Sequence, residues 1–417
     1  MSKLYIEGEN RLNGRVRIDG AKNSILPILA ATLLCNGVSV VHNCPALSDV
    51  AVSLKILEHL GCKCSYEDNT AVIDASLVSR SEIPDTLMRE MRSSIVFLGA
   101  ILARTGSAVL SSPGGCELGP RPVDLHISNL RQLGVIIEEE HGRLHCNVGE
   151  GIKGKSLHLS FPSVGATENI MLAACIGKGT TVIHNAAKEP EISDLADFLN
   201  SAGAKISGAG SDTVEIVGVN ELHGCEHTII PDRIITATYL CAAAACGGDI
   251  ELKNVMPSHL VCILDIFNKC GCSLYVRDKT VRLKSRGRIK RIPTVRTLVY
   301  PGFPTDAGPP VLAMLCKASG TSVFVENIFE NRYKYIDELN RLGANIKTEG
   351  KVAVIEGVKK LSGATVRCTD LRGGAALVVA ALAAGGTTEI DEIFHIKRGY
   401  ADIVGDLKKL GANITEE

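Results

Sequence analysis

The chain has 417 residues, too long for one ordinary core, so two domains are the starting expectation. Its formal net charge of -1 argues against a general electrostatic attraction to nucleic acid or to an anionic membrane. Aromatic residues make up only 4% and tryptophan is absent, so small aliphatic side chains must fill the cores.

Residues 1–9 contain no apolar signal region. The longest apolar runs, such as residues 25–35, end well short of a membrane span. Fifteen cysteines are scattered along the chain rather than framed in pairs, which predicts a reduced, cytoplasmic protein whose thiols act mostly as small hydrophobes. Cys62-Lys63-Cys64 and Cys270-Gly271-Cys272 have one-residue spacing and lack a second Cys/His pair, so they read as structural rather than metal-binding.

A sixfold repeat organises the sequence. The tags Leu60-Gly61, Leu133-Gly134, Ala202-Gly203, Cys270-Gly271, Leu342-Gly343 and Leu410-Gly411 each follow an amphipathic segment and precede strand-like alternation. The glycine is placed as a helix C-cap. A second series, Gly37, Gly106, Gly179, Gly248, Gly320 and Gly386, runs in step with it and is expected to end a preceding alanine-rich, apolar helix. Each unit therefore reads helix, strand, helix, strand, strand, and residues 3–19 are expected to complete the last unit.

Three units fit one domain, residues 22–230, and three fit a discontinuous second domain, residues 1–21 plus 231–417. Strands alternating with helices give an α/β (α+β) class, with sheets outside and the apolar helices buried inside.

Several buried helices begin with charge. Lys22-Asn23 opens the first, Arg92 the second, Ser163-Val164-Gly165 the third, Asp232-Arg233 the fourth, Thr305-Asp306 the fifth and Asp370-Leu371-Arg372 the sixth. Asp232 and Asp370 suit simple capping. Lysine or arginine opposes the helix dipole, so Lys22, Arg92 and Arg233 need an anion or a carboxylate to offset them. Arg121, Arg332 and Arg398 are expected to open second helices in the same way. Convergence of these groups would suit a substrate with several phosphates or carboxylates. The alternative is a set of salt bridges to Glu189, Glu191 and Asp194.

One loop stands apart. Cys116 sits among Gly114, Gly115, Gly119 and Pro120, with Arg121 and a helix start near Val123 close behind. A thiol beside an arginine and a helix N-terminus is favoured as thiolate or as an acidic thiol.

These residues resemble the UDP-N-acetylglucosamine enolpyruvyl transferases (1-carboxyvinyltransferases). The likeness is carried by Gly20-Ala21-Lys22-Asn23, Pro113-Gly114-Gly115-Cys116, Gly119-Pro120-Arg121-Pro122-Val123-Asp124-Leu125-His126 and Ser163-Val164-Gly165-Ala166-Thr167. Phe303-Pro304-Thr305-Asp306, Phe329-Glu330-Asn331-Arg332 and His395-Ile396-Lys397-Arg398-Gly399-Tyr400 extend it. The resemblance implies two similar domains of three βαβαββ-type units, an inside-out α/β barrel, with the active site between them.

It also implies transfer of the enolpyruvyl group of phosphoenolpyruvate to the 3′-hydroxyl of UDP-N-acetylglucosamine, with no metal or organic cofactor. Cys116 is then the proton donor and Asp306 the base. Lys22, Arg121 and Arg398 hold the phosphate and carboxylate of phosphoenolpyruvate. Asn23, Asp306 and Ile328 contact the amino sugar. Arg92, the run Arg121, Pro122, Val123, Asp124, Leu125 and His126, and Ser163, Val164 and Gly165 hold the uridine and diphosphate. Asp370 and Arg372 brace the closed state.

Two departures stand out. Phe161 lies where many members carry lysine, and Ala307-Gly308-Pro309-Pro310 follows Asp306 where Met-Gln is usual, which should alter that helix start. The rival readings are the shikimate-branch enolpyruvyl transferase, an RNA-end-modifying enzyme and a non-catalytic repeat protein. Cys116 and the segment from Arg121 to His126 oppose the first. The near-zero charge and the missing aromatic platform oppose the second, and the charged helix starts oppose the third.

Overall fold

Helices apolar on every side have no face to give to water, and six such helices set the architecture of this chain. In the computed structural model, which describes residues 2–111 and 123–417 (for Arg92 and Ser93 the backbone only), they span Lys22–Thr32, Phe97–Thr105, Val164–Cys175, Arg233–Cys246, Gly308–Leu315 and Leu371–Leu382. Every residue from Arg233 to Ala245 is buried, as is every residue from Ala166 to Cys175. Alanine runs such as Ala242 to Ala245 let neighbouring helices approach closely, and the last three buried helices all pack on one another.

The outer helices are amphipathic instead. In Pro190–Ser201 the buried positions Ile192, Leu195, Ala196, Phe198 and Leu199 recur at helical spacing and form one stripe. Phe198 and Phe267 are among the few large rings in the cores.

Six sheets share one pattern. In the fourth, Leu12–Arg17 runs parallel to Gly248–Lys253, which pairs antiparallel with Thr280–Ser285, which in turn pairs antiparallel with Ser273–Arg277. The same order holds for Ser156–His158, Thr180–His184, Thr213–Val217 and Lys205–Ser207. In the second unit the parallel strand shrinks to a single bridge between Glu82 and Val109 beside the three strands of its sheet. Each sheet is open and has at most four strands among the described residues, consistent with the expected fold of sheets around buried helices.

The N-terminal strands divide their loyalties, which corrects the expectation that residues 3–19 complete one unit. Leu4–Glu7 does complete the sixth sheet, between Thr387–Asp391 and Asn413–Glu416. Leu12–Arg17 joins the fourth, and Glu226–Thr228 takes the corresponding parallel place beside Val38–His42 in the first. Contacts divide the chain into two compact units. One takes the chain up to Asp19 and from Pro231 to Glu417; the other takes the described residues from Gly20 to Ile230. At the crossings the Ala21 N–H donates to Ile230 O at 2.8 Å, and the Asp232 N–H donates to Asp19 O at 2.9 Å.

Both glycine series adopt positive φ throughout, from 78° at Gly106 to 149° at Gly248. The first series follows helix ends directly, as at the left-handed C-cap Gly61. In the second series only Gly106 caps its helix; the others lie beyond the end, where the chain turns into its strand.

Close helix approach generates a test. A Cβ on Gly99 would lie 2.3 Å from the Asn169 carbonyl oxygen, in the neighbouring buried helix. Gly99→Ala should therefore lower stability by about 1–3 kcal/mol, read as a fall in the urea midpoint.

Candidate active site

In the unit from Gly20 to Ile230, Lys22 is the first residue of its helix, and its ammonium is only 10% exposed. The dipole opposes a cation there, and the offset is Asp49, whose Oδ2 lies 2.9 Å from Lys22 Nζ. Asp49 stands in the first turn of Ser48–Leu60, where an acidic residue is also favoured by its own helix. Half-buried Asn23 follows, and then Ser24 Oγ donates to Asp194. Asp194 also meets His227 Nε2 at 2.9 Å and the Ile230 N–H at 3.3 Å. All these partners of Asp194 lie in its own unit.

The second and third helix starts meet around Asn169. Its Oδ1 accepts from the Gly99 N–H at 2.7 Å, which fixes the amide's orientation. Its Nδ2 then donates to Ile95 O at 3.0 Å and to His126 Nδ1 at 2.8 Å, so the His126 proton sits on Nε2. Ile95 belongs to the short 3-10 helix Arg92–Val96. The His126 ring also lies against Gly165, where an added Cβ would come within 3.0 Å of Cε1. Ser163 caps the third buried helix, accepting from the Ala166 N–H at 3.3 Å. Val164 and Gly165 form the first helical turn, half-buried. Val123 precedes the helix Asp124–Gln132, which carries Asp124, Leu125 and His126.

Three sequence-predicted segments are thus drawn together: the Arg92 turn, His126 and Ser163–Gly165. Cys116, Arg121 and Pro122 lie outside the described residues, as does the Arg92 side chain. Phe161 is exposed, and its carbonyl accepts from the Ser163 N–H at 2.7 Å.

In the other unit Asp306 is the focus. It lies in the 3-10 turn Thr305–Ala307, which runs directly into the helix Gly308–Leu315, whose first turn is Gly308-Pro309-Pro310. Arg332 Nη2 donates to Asp306 Oδ1 and Arg372 Nη2 to Oδ2, each at 3.0 Å. Both guanidinium groups are almost fully buried, whereas the carboxylate is 27% exposed. Burial works against the charge of Arg372, but Asp306, Tyr400 and Asp232 outweigh it and hold the guanidinium firmly protonated.

Asp370 caps its helix as expected, with Oδ1 accepting from the Arg372 and Gly373 N–H groups at 3.0 and 2.9 Å. Asp232 likewise caps the fourth buried helix. Arg372 Nη1, Arg332 Nε and Asp370 Oδ2 are buried polar atoms without a protein hydrogen bond. Such orphans are rare in folded chains, and two of these three belong to the guanidinium groups that bind Asp306.

Arg398 does not open an outer helix. It ends the 3-10 turn Ile393–Arg398, and the helix Ile403–Lys409 begins only after Asp402 supplies a cap. Arg332 also precedes its helix, Ile336–Arg341, by four residues. Sequence reading missed Asp49 and Asn169. Asp49 looks like an ordinary helix-start acid, and Asn169 carries no local signal.

Among the described residues no three of His, Cys, Asp and Glu are placed to hold a metal ion, and no helix is long and apolar enough to cross a membrane. Every described cysteine is a free thiol. Burial pushes all of them up, Cys35, Cys44 and Cys316 to about 12.

The sequence pattern of the family described as EPSP synthase (3-phosphoshikimate 1-carboxyvinyltransferase) matches residues 6–407. UDP-N-acetylglucosamine 1-carboxyvinyltransferase 2 of Caldanaerobacter subterraneus subsp. tengcongensis is 53% identical over 414 residues, 99% of each chain. The chain belongs to the UDP-N-acetylglucosamine 1-carboxyvinyltransferase family. The enzyme of that name from Finegoldia magna is 48% identical, with 99% of this chain and 98% of that one covered. UDP-N-acetylglucosamine 1-carboxyvinyltransferase 1 of Staphylococcus aureus is 44% identical, with 99% of each covered. Among solved structures, the enolpyruvyl transferase NikO from Streptomyces tendae superposes with a TM-score of 0.89 at 27% identity, covering 100% of this chain and 98% of that one. EPSP synthase from Acinetobacter baumannii, at 17% identity, shares the fold with a TM-score of 0.76 and full coverage of both chains.

Burial pushes the His126 imidazole down from its ordinary value to about 4. The unfolded chain takes up this proton near pH 6.5, while the folded ring resists it until about pH 4. Stability is therefore fully present above about pH 6.5 and is lost as the pH falls through that window, by up to roughly 3 kcal/mol. The urea midpoint should drop between pH 7 and pH 4.5 in the parent and drop less in His126→Gln.

Proposed function

We propose that this chain transfers the enolpyruvyl group of phosphoenolpyruvate to the 3′-hydroxyl of UDP-N-acetylglucosamine, releasing phosphate, as the first committed step of peptidoglycan synthesis. Full-length identity of 53% to a relative of that name carries the reading. The shikimate-branch reaction named in the family description has weaker support, because relatives at 44–53% identity share the UDP-N-acetylglucosamine name.

In this reading Cys116 protonates the methylene carbon of phosphoenolpyruvate, and positive character develops at the central carbon. The 3′-hydroxyl oxygen attacks that carbon while its proton passes to the Asp306 carboxylate. The tetrahedral ketal then loses phosphate, and a proton leaves the methyl group to restore the carbon–carbon double bond. Phosphate is the only group released, and no redox change occurs. The Cys116 thiolate can also add to the central carbon, giving a covalent adduct.

Lys22, Arg121 and Arg398 hold the phosphate and carboxylate of phosphoenolpyruvate, with Asp49 aiming the Lys22 ammonium. Asn23, Asp306 and Ile328 contact the amino sugar. Arg92, Arg121 to His126 and Ser163 to Gly165 hold the uridine and diphosphate; the capped helix start at Ser163 and the fixed Nε2 donor of His126 support that role. Arg372 acts through Asp306. We place the enzyme in the cytoplasm, in the service of cell-wall growth, cell shape and division, and as a target of fosfomycin at Cys116.

The test is phosphate release with both substrates present. The expected result is release that requires both and is abolished in Cys116→Ala. Cys116→Asp, still an acid but no longer a thiol, should turn over and resist fosfomycin. No release above background in the parent, or release only with shikimate 3-phosphate as acceptor, would overturn the proposal.

A further inference from the structure

Glu326 follows the strand Thr321–Val325 and is 1% exposed. A carboxylate removed from water needs its lone pairs filled, and here four donors fill them. Oε1 accepts from Thr297 Oγ1 at 2.9 Å and from the N–H groups of Ile328 and Phe329 at 2.8 and 3.1 Å. Oε2 accepts from Thr305 Oγ1 at 2.9 Å. The hydroxyl of Thr297 is itself held, accepting from the Asn327 N–H at 2.8 Å, while Asn327 Nδ2 donates to Thr297 O at 3.0 Å.

These four donors come from three separate places: the end of the strand Thr294–Arg296, the turn that carries Ile328, and the 3-10 turn that carries Asp306. Arg332 meets the last of these from its other side, donating to Thr305 O at 3.4 Å and to Asp306 at 3.0 Å. The Thr305–Asp306 turn is therefore fixed twice, by Glu326 through a side chain and by Arg332 through a carbonyl and a carboxylate.

We infer that Glu326 is a positioning residue for the acceptor sugar: one buried carboxylate sets the Ile328 backbone and the Asp306 turn in a common register. The inference rests on the enolpyruvyl-transfer reading, in which Ile328 and Asp306 both serve the amino sugar. It goes beyond that reading, which gives Glu326 no part in holding either substrate.

Two variants test it in the full-length enzyme. Glu326→Gln keeps the shape and the bonds to Oε1 but puts an N–H donor where Oε2 accepted, so the charge-assisted bond from the Thr305 hydroxyl is lost. Thr305→Val leaves the carboxylate with its other three donors. In both, the KM for UDP-N-acetylglucosamine should rise about tenfold or more, as suits loss of a hydrogen bond to a charged group. The KM for phosphoenolpyruvate should stay within about twofold and Tm within a few degrees, since the rest of the network is kept. The double variant should fall short of the product of the single effects, because both act through one bond. A purely structural role would instead lower Tm and leave the two KM values in their parental ratio, which overturns the inference. Parental kinetics in both variants would overturn it as well, leaving the reaction assignment intact. A parent that releases no phosphate removes both.

Discussion

A helix with no polar side can exist in water only if other structure covers it, and that constraint governs the rest of this molecule. Six such helices need cover, and the repeated open sheets with their amphipathic helices supply it. The consequence for chemistry is direct. Along their lengths these helices can carry almost nothing but alanine, leucine, isoleucine, valine and cysteine. Charge enters most readily where a helix begins, because the unpaired N–H groups there already demand polar company. Lys22, Asp232, Asp306 and Arg372 accordingly stand at or beside helix starts.

What the starts do with charge differs between the units. Lys22 opposes its helix dipole and is matched by a nearly buried carboxylate, Asp49. Asp306 goes with the dipole and is matched by two buried guanidinium groups, one on each oxygen. Breaking a buried pair by removing one partner leaves an uncompensated charge, at a cost of about 3–5 kcal/mol, so neither arrangement tolerates casual substitution.

Much of the fold was legible in the sequence because its strongest signal is backbone geometry. Twelve glycines in two interleaved series adopt positive φ, and side chains with a Cβ resist that conformation. The pairing of Leu12–Arg17 was not legible, since a strand's partner depends on where the chain crosses and not on its own alternation. At the site, Lys22, Asp306 and Arg372 were visible because charge at the start of an apolar helix is conspicuous. Glu326 was not, since one glutamate after a strand resembles any surface residue until its four donors arrive from three segments. Arg398 was read as a helix opener because Gly399 and Tyr400 obscure a cap supplied later by Asp402.

The exchange of strands at the two crossings bears on how the chain can fold. Leu4–Glu7 is an interior strand, hydrogen-bonded on both sides within the sixth sheet, and Leu12–Arg17 covers the edge of the fourth. The segment from Pro231 to Glu417 therefore lacks an interior strand and an edge strand until the N-terminal nineteen residues join it. Those residues are separated from it by the whole of the other unit, so closing this core carries the loop entropy of some two hundred residues. That penalty grows only logarithmically with length, so it is modest as free energy. Its kinetic effect is larger, because contacts between distant segments form late and slow the folding of the unit that depends on them. The unit from Gly20 to Ile230 takes all its described strands from its own contiguous sequence, Glu226–Thr228 included. It can complete its sheets first, and the Ala21–Ile230 bond then brings the two crossing segments side by side before the discontinuous core must close.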